Sequence, residues 1–479
     1  MKRITMIRPT KSKRILSTFE RIKAFDQQKE FTVLKPGSVL HQQLISIGKD
    51  GSFFGLEFTT HKFINHRIAF KELEMIFENC QLHLKDKAFS FRRFSLEKLE
   101  LRLAKMAFSG RLNSIAEGKF EDYDNTYLRY VQPLNDRIAK IGLISGAMDL
   151  SIENETTYGA GFIELNIDKV ALEFMRVSNE GRHYLVIDSV NTIRLDIFEK
   201  LTDAFFDAYS FVWGHKCGDE SHILSSSNSE FSLIDNVMFS SKPKTSVHDY
   251  GIGDPHEVRD LKFSEKMPLF PKHSFEALCN MVMTDEKFKR VLKIIHEANS
   301  TPFSLSTCIL FSTALETLTS FVKLKMAGPI EVERFNASAI TQLLIEELER
   351  NQILTLEDKS FLKERRLLNL NKPTNIDRLE LSFKQLNILL PEKFRKALKY
   401  RDKYLHGTIP KESTLVNLDD DNNNKAFELQ FLTYVLVLKI VGYTGFVRNN
   451  SAKMEFYSKL NSGVPEEQIE INHPLYYHI

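Results

Sequence analysis

Cysteine is scarce in this sequence. Four thiols (Cys80, Cys217, Cys279 and Cys308) are spread over 479 residues with no CxxC pair, which argues against a disulfide framework or a four-cysteine zinc site and fits a reducing cytoplasm. A surplus of one charge sign is also lacking. The 65 Lys and Arg stand against 63 Asp and Glu, a formal net charge of +2, so no bulk field declares a nucleic-acid partner, while a local basic patch stays open. Long apolar runs are absent too. The N-terminal Met1-Lys-Arg-Ile-Thr-Met-Ile-Arg-Pro9 has no apolar core of signal-peptide length. The most apolar helical run, Cys308 to Val322, is interrupted by Glu316 and falls short of the roughly 20 residues of a membrane span. A soluble cytoplasmic protein without a membrane partner is expected. What remains is ordinary globular composition, 42% hydrophobic and 27% charged, in a chain long enough for two or three domains.

The two halves carry different periods. Up to about residue 245 the pattern is mainly that of strands: Phe31 to Leu34, Val39 to Ile47, Ser52 to Phe58, Gln81 to Leu84, Leu99 to Leu103, Phe162 to Ile167, Ala171 to Val177 and Tyr184 to Ile187. Gly48-Lys-Asp-Gly51 and Asn179-Glu-Gly181 read as hairpin turns. One amphipathic helix, about Thr192 to Tyr209, closes this region. Serine-rich stretches at 225–229 and 240–246 read as loops. After Pro271 the period becomes 3.6: Phe275, Leu278 and Val282, then Phe288, Val291, Leu292 and Ile295, share one face, and Ile309, Ala314, Leu318, Phe321 and Val322 trace another. Further helices fit 331–350, 355–369, 376–389, 392–406 and 425–447, with Asp419 to Asn424 as an exposed loop before the last. The fold class expected is α+β in two domains: a β-rich, mainly antiparallel domain over 1–245, a boundary loop over 246–270, and an all-α bundle over 271–479.

The richest stretch for chemistry is Arg401-Asp-Lys-Tyr-Leu-His406, stopped by Gly407. Pro391 can open its helix. Phe394, Ala397, Leu398, Arg401 and Leu405 then share a face, which puts an arginine where a core residue is expected. Such an arginine needs a carboxylate, a subunit interface or an anionic ligand. Asp402 and His406 are i, i+4 neighbours, so the carboxylate can orient the imidazole. Arg401 and His406 are nominally about 140° apart and converge only over the helix end. This set suits attack of a ribose 2′-OH on the adjacent phosphate. Histidine near neutrality moves the proton, and a guanidinium fork takes the charge building on the phosphoryl oxygens, with no metal or cofactor. The bland alternative is a histidine favoured by the helix C-terminal dipole before ordinary Gly and Pro410 punctuation. Two other Arg-to-His spacings, Arg176 to His183 and Arg290 to His296, lack that context.

Arg-Asp-x-x-x-His at the end of a late helix resembles the signature of the HEPN ribonucleases. The run Phe311-Ser-Thr-Ala-Leu-Glu316-Thr-Leu318 is similar to a helix found early in that bundle. A β-rich domain followed by such a bundle resembles ApeA-type anti-phage proteins. The resemblance spans roughly 270–450, and six residues carry the motif. It implies a metal-independent endoribonuclease acting in abortive infection, dimeric or of higher order through the helical domain, on an RNA substrate and under a phage-derived trigger. Arg401, Asp402 and His406 would be catalytic, with Glu316 and Tyr404 as candidate supports. The alternative it allows is an inactive module that binds RNA or nucleotide.

Weaker signals complete the reading. Trp213 to His222 holds His215, Cys217 and His222, too few and too irregular for a structural zinc site, so a loop is expected. His248 to His256 contains Gly251-Ile-Gly253 outside any strand–helix context and reads as a hinge or recognition loop. Lys363-Glu-Arg-Arg366 is a solvated face or an RNA-backbone contact.

Overall fold

The computed structural model describes residues 10–13, 15–27, 29–34, 44–50, 53–60, 81–84, 87–102, 105–134, 144–152, 155–214, 220–241, 251–252, 269–301, 305–325, 337–365, 367, 375–405, 418–463, 465, 474 and 476–479. The chain is α+β, with one large sheet and two compact units, Met1–Lys289 and Arg290–Ile479.

The first unit opens with β1 (Thr10–Lys13) and α1 (Leu16–Asp26), then β2 (Lys29–Leu34), β3 (Leu44–Asp50), β4 (Phe53–Thr60), β5 (Gln81–Leu84), β6 (Lys87–Arg102) and β7 (Lys105–Glu117). It continues through β8 (Tyr127–Leu134), β9 (Met148–Ile152), β10 (Glu155–Ile167), β11 (Val170–Asn179), β12 (Arg182–Ser189), α2 (Leu195–Trp213), β13 (Glu220–Ser226), β14 (Asn236–Ser241) and α3 (Lys272–Thr284). The order across the sheet is β1-β9-β10-β11-β12-β8-β13-β14-β7-β4-β3-β2-β5-β6. A further pairing joins β6 to β7, so the last six strands close into a barrel and leave no edge there. Among the described pairs of strands only β1 with β9 is parallel, and an isolated parallel bridge joins Ile144 to Phe270. A bulge on β6 lies between Leu96 and Lys98.

Alternation along the strands sorts the open part of the sheet into two faces. Tyr130 and Phe174 meet α2, ring centroids 5.3 Å from Phe206 and 4.1 Å from Phe205. Val131, Met175, Val177, Val186 and Leu224 face the other way, into a core shared with α1 and the barrel residues Phe31, Phe54, Phe89 and Leu112. Phe25 at the end of α1 packs on Phe54 and Phe89. Helix α1 is also tied by Arg21 to Glu117 and by Thr18, which accepts from the buried Arg129 at 2.8 Å. Arg129 itself forks onto Asp188, the residue opposite it on β12. The expected turn between β11 and β12 is present, with Glu180 and Gly181 both at positive φ, the two-residue geometry that matches strand twist.

Several expectations need correction. The serine-rich stretches are not wholly loops, because Ser225 and Ser226 end β13 and Ser240 and Ser241 end β14 (Asn236–Ser241), whose apolar Val237, Met238 and Phe239 are buried. The segment before them is not wholly a loop either: Trp213 ends α2, Gly214 caps it at φ 74, and Glu220 to His222 already belong to β13. Most of the expected boundary loop 246–270 lies outside the described residues; Gly251 and Ile252 within it dock on α2, the amide of Ile252 donating to the Val212 carbonyl at 2.9 Å. Helix α3, read from sequence as the start of the helical half, packs in the first unit. Phe275 meets Phe205 and Trp213, while Glu276 and Asn280 accept from the amides of Asn166 and Asp168.

Beyond α3 the helices are α4 (Glu286–Ser300), α5 (Leu305–Lys325), α6 (Ala337–Arg350), α7 (Leu356–Arg365), α8 (Asn375–Gln385), α9 (Glu392–Leu405), α10 (Leu418–Ile440) and α11 (Asn450–Asn461). The division between units falls inside α4. The second unit is not all-α: β15 (Phe446–Arg448) pairs with β16 (Tyr476–His478). Helix α10 starts at Leu418, so Asp419 to Asn424 are its first turns rather than a loop; carboxylates there favour the positive end of the helix dipole. It stops earlier than expected because Gly442 takes φ 71. The amides of Tyr443 and Gly442 then close on the carbonyls of Leu438 and Lys439, the paired bonds of a Schellman cap. The apolar helix α5 is longer than the run Cys308 to Val322 and is, over 305–323, the one described helix long and apolar enough to cross a membrane by length and composition. More than half of that stretch is buried within the structure, as in the core helix of a bundle.

Candidate functional site

Helix α9 lies against α5, α8 and α10. Its row Phe394, Ala397, Leu398 and Arg401 is buried, with Arg401 2% exposed, and Phe394 stacks on Phe431 of α10 at 4.5 Å. The guanidinium thus sits in the apolar row where the heptad-like spacing put it. An Nη2 of Arg401 donates to Oε1 of Glu316 on α5 at 2.8 Å. Glu316 is 46% exposed at its side chain, so the pair has one buried and one solvent-facing member. Burial of Arg401 therefore requires no second chain, since α5 supplies a carboxylate.

Other members of the motif cannot be placed against it. Asp402 and Tyr404 belong to the last turn of α9, with side chains outside the described part of the structure, and His406 lies outside the described residues. The other two Arg-to-His spacings resolve differently. Arg176 and His183 meet across β11 and β12, Nη2 3.3 Å from the ring nitrogens, and Ser178 Oγ is 2.7 Å from Nδ1. Arg290 and His296 both lie within α4. No group of three or more His, Cys, Asp or Glu among the described residues could hold a metal. His215 and Cys217 lie outside those residues, and Lys363-Glu-Arg-Arg366 contributes Lys363 to an exposed pair with Glu349 at 2.9 Å. Cys279 and Cys308 are free and buried; burial, then the charge of Glu276, pushes the Cys279 thiol well above its ordinary value, far from a nucleophile.

A second constellation was not anticipated. Beside α1, over β12, β8 and β13, lies a cavity of about 770 Å³. His222 on β13, 2% exposed, sets its Nε2 2.8 Å from Oδ1 of Asp26. Lys49 on β3 donates to Oδ2 of Asp26 at 2.6 Å and lies 3.0 Å from Oε2 of Glu220. Burial works to raise the Asp26 carboxyl, but the hydrogen bond and charge of His222, helped by Lys49, outweigh it and hold it below its ordinary value. Burial likewise opposes the charge on Lys49, and Asp26 with Glu220 overcomes it, so the ammonium is held above its usual range. Sequence offered one hint of this cluster, His222 in an unexplained polar segment. Asp26 and Lys49 are far away in the chain and gave no signal.

Comparisons with known proteins name no family. No family model matches the chain, and no curated protein matches it. Among solved structures, one of the trigger factor chaperone aligns at 11% identity over 82% of this chain and 98% of the other, with a TM-score of 0.13, a value that carries no argument about fold or function.

Proposed function

We propose that the chain is a metal-independent endoribonuclease of HEPN type acting in anti-phage abortive infection. In this reading His406 moves the proton, Arg401 stabilises the phosphorane, and Asp402 positions one or both. The observation that supports it most is the placement of Arg401. A guanidinium stands in an apolar helix row, tethered through a half-exposed carboxylate, five residues before a histidine and a glycine. Glu316 holds the guanidinium in a fixed plane, as charge stabilisation on a phosphoryl group requires. Glu316 thus supports Arg401, with Tyr404 a further candidate on the same turn. The active species is a cytoplasmic homodimer or higher oligomer, and the β-rich unit restrains or triggers the nuclease in response to a phage-derived molecule.

The same contact favours a second reading, in which Arg401 and Glu316 are a structural pair in a non-catalytic module that binds RNA or nucleotide. The deciding experiment is cleavage of total RNA by the purified chain and its His406→Ala variant, with EDTA present. The nuclease reading expects 2′,3′-cyclic phosphate ends, an unchanged rate in EDTA, and a fall of about 10²-fold or more in the variant. Equal behaviour of the two proteins would leave the binding module as the function.

A further inference from the structure

The cavity beside α1 is built from two kinds of surface. Its floor is charged: Asp26 and Glu220 share the ammonium of Lys49, with His222 on the other oxygen of Asp26. Its walls are apolar where Phe19, Ile22, Val131 and Pro133 line it. At the far end Arg182 lies beside Tyr184, whose ring packs 4.7 Å from Phe19.

Two charged groups on this lining have no ion-pair partner among the described residues: Arg182 at the end of the hairpin, and Glu20 on α1. The remaining rim charges, Lys23 and Glu180, pair with one another at 3.6 Å. A guanidinium with no described carboxylate partner, beside a phenol, suits a carboxylate or phosphate. The floor, where the carboxylate of Glu220 lines the cavity beside Asp26, suits an ammonium. The separation of these ends follows from the register. His222 lies opposite Val131, and Tyr184 opposite Pro133, so Glu220 and Arg182 are two strands apart across the sheet and two residues apart along it. Strand spacing and rise convert that to roughly 12 Å. A single amino acid is too short to bridge it. Three extended residues, at about 3.4 Å each, reach most of the way, and side-chain lengths cover the rest. A volume of about 770 Å³ is in the usual range for small-molecule sites.

We infer that this cavity is a binding site for an extended zwitterionic ligand of the size of a tripeptide, amine at Glu220 and Asp26, carboxylate at Arg182 and Tyr184, and apolar middle on Phe19, Val131 and Pro133. The site is independent of Arg401 and His406, so its failure would leave the ribonuclease reading untouched, and the reverse also holds.

Calorimetric titration of the full-length chain with the tripeptide Ala-Leu-Ala tests it. Binding with a Kd of about 1 mM or tighter is expected, weakened about tenfold by either N-acetylation or C-amidation. Glu220→Gln should erase the preference for the free amine, and Arg182→Ala the preference for the free carboxylate. Both substitutions leave the Asp26–Lys49 contact in place, and an unchanged Tm verifies the fold. Three results would overturn the inference. One is absence of binding at about 10 mM peptide. Another is binding indifferent to both substitutions. The third is tighter binding of adenosine monophosphate or spermidine than of the peptide, which would assign the site to a nucleotide or to a polycation.

Discussion

His222 Nε2 donates to Asp26 Oδ1 at 2.8 Å, joining β13 to the last residue of α1 across 196 positions of sequence. With Lys49 on the second oxygen of the same carboxylate, this pair fixes the C-terminal end of α1 while Thr18 and Arg129 fix its first turn.

A pH dependence follows. The Asp26 carboxyl is held below its ordinary 3.8, so the unfolded chain binds the proton more readily. The stability it contributes is complete above that value and is lost as pH falls through the lower folded value. Lys49 has the opposite sign: held above 10.5, it contributes fully below that value and less as pH rises beyond it. Thermal unfolding between about pH 5 and 9 should therefore be insensitive to this pair. Asp26→Asn should lower Tm near neutrality and flatten the acid limb; an acid limb as steep as in wild type would show that Asp26 is not the group responsible.

Arg401 joins stability to the proposed chemistry. Arg401→Ala removes a buried stem and leaves a half-solvated Glu316, a loss of about 1–3 kcal/mol that should appear as a lower denaturant midpoint. His406→Ala should leave the midpoint unchanged. Glu316→Gln keeps a hydrogen-bond acceptor for the guanidinium and should reduce cleavage without abolishing it. Full activity in Glu316→Gln would mean that Glu316 does not position Arg401.

The second unit contains a buried amide chain. Asn299 donates to the Tyr434 hydroxyl at 2.6 Å, Gln430 to Asn299 Oδ1 at 2.7 Å, and Asn450 to Gln430 Oε1 at 2.7 Å. Replacing Gln430 with Leu strips the Asn299 oxygen and the Asn450 amide of these contacts, at about 2–4 kcal/mol. Chemical denaturation measures it. A change under about 0.5 kcal/mol would mean that water substitutes freely there.

Gly251 closes on the end of α2. A Cβ at this position would stand 2.6 Å from the Trp213 carbonyl carbon and 2.9 Å from the Gly214 nitrogen. These are backbone atoms that cannot swing aside, so Gly251→Ala should destabilise by about 1–3 kcal/mol. It should also alter the fluorescence of the single tryptophan. Gly55→Ala, whose nearest new contact is 3.8 Å, should be neutral or slightly stabilising.

Local pattern made part of this architecture legible. Apolar alternation marked β10, β11 and β12, and the helical period marked α3 to α5 and α8 to α10, because each buries one face. Positions decided by distant residues were hidden. Asp168 and Lys169 take positive φ in a hairpin turn without glycine, held by Asn280 of α3. Strand β14 hid between serines whose hydroxyls read as loop signals, and α1 has no side-chain cap to announce it. For the candidate site, Arg401 on an apolar row implied an acceptor, which is Glu316. The Asp26–Lys49–His222 cluster draws on α1, β3 and β13, and no spacing rule reaches across such gaps. Deleting residues 1–245 to test regulation would also strip Phe275 of Phe205 and Trp213, so an altered phenotype from that deletion would include damage to α3.

Strand β7 has three neighbours rather than two. One edge runs along β6, while the other is divided between β4, from Met106 to Leu112, and β14, from Ser114 to Ala116. The barrel and the open sheet therefore cannot come apart without breaking the same strand. In deuterium exchange, the amides of β7 should open only with the whole unit, and the barrel should show no separate, earlier-exchanging population.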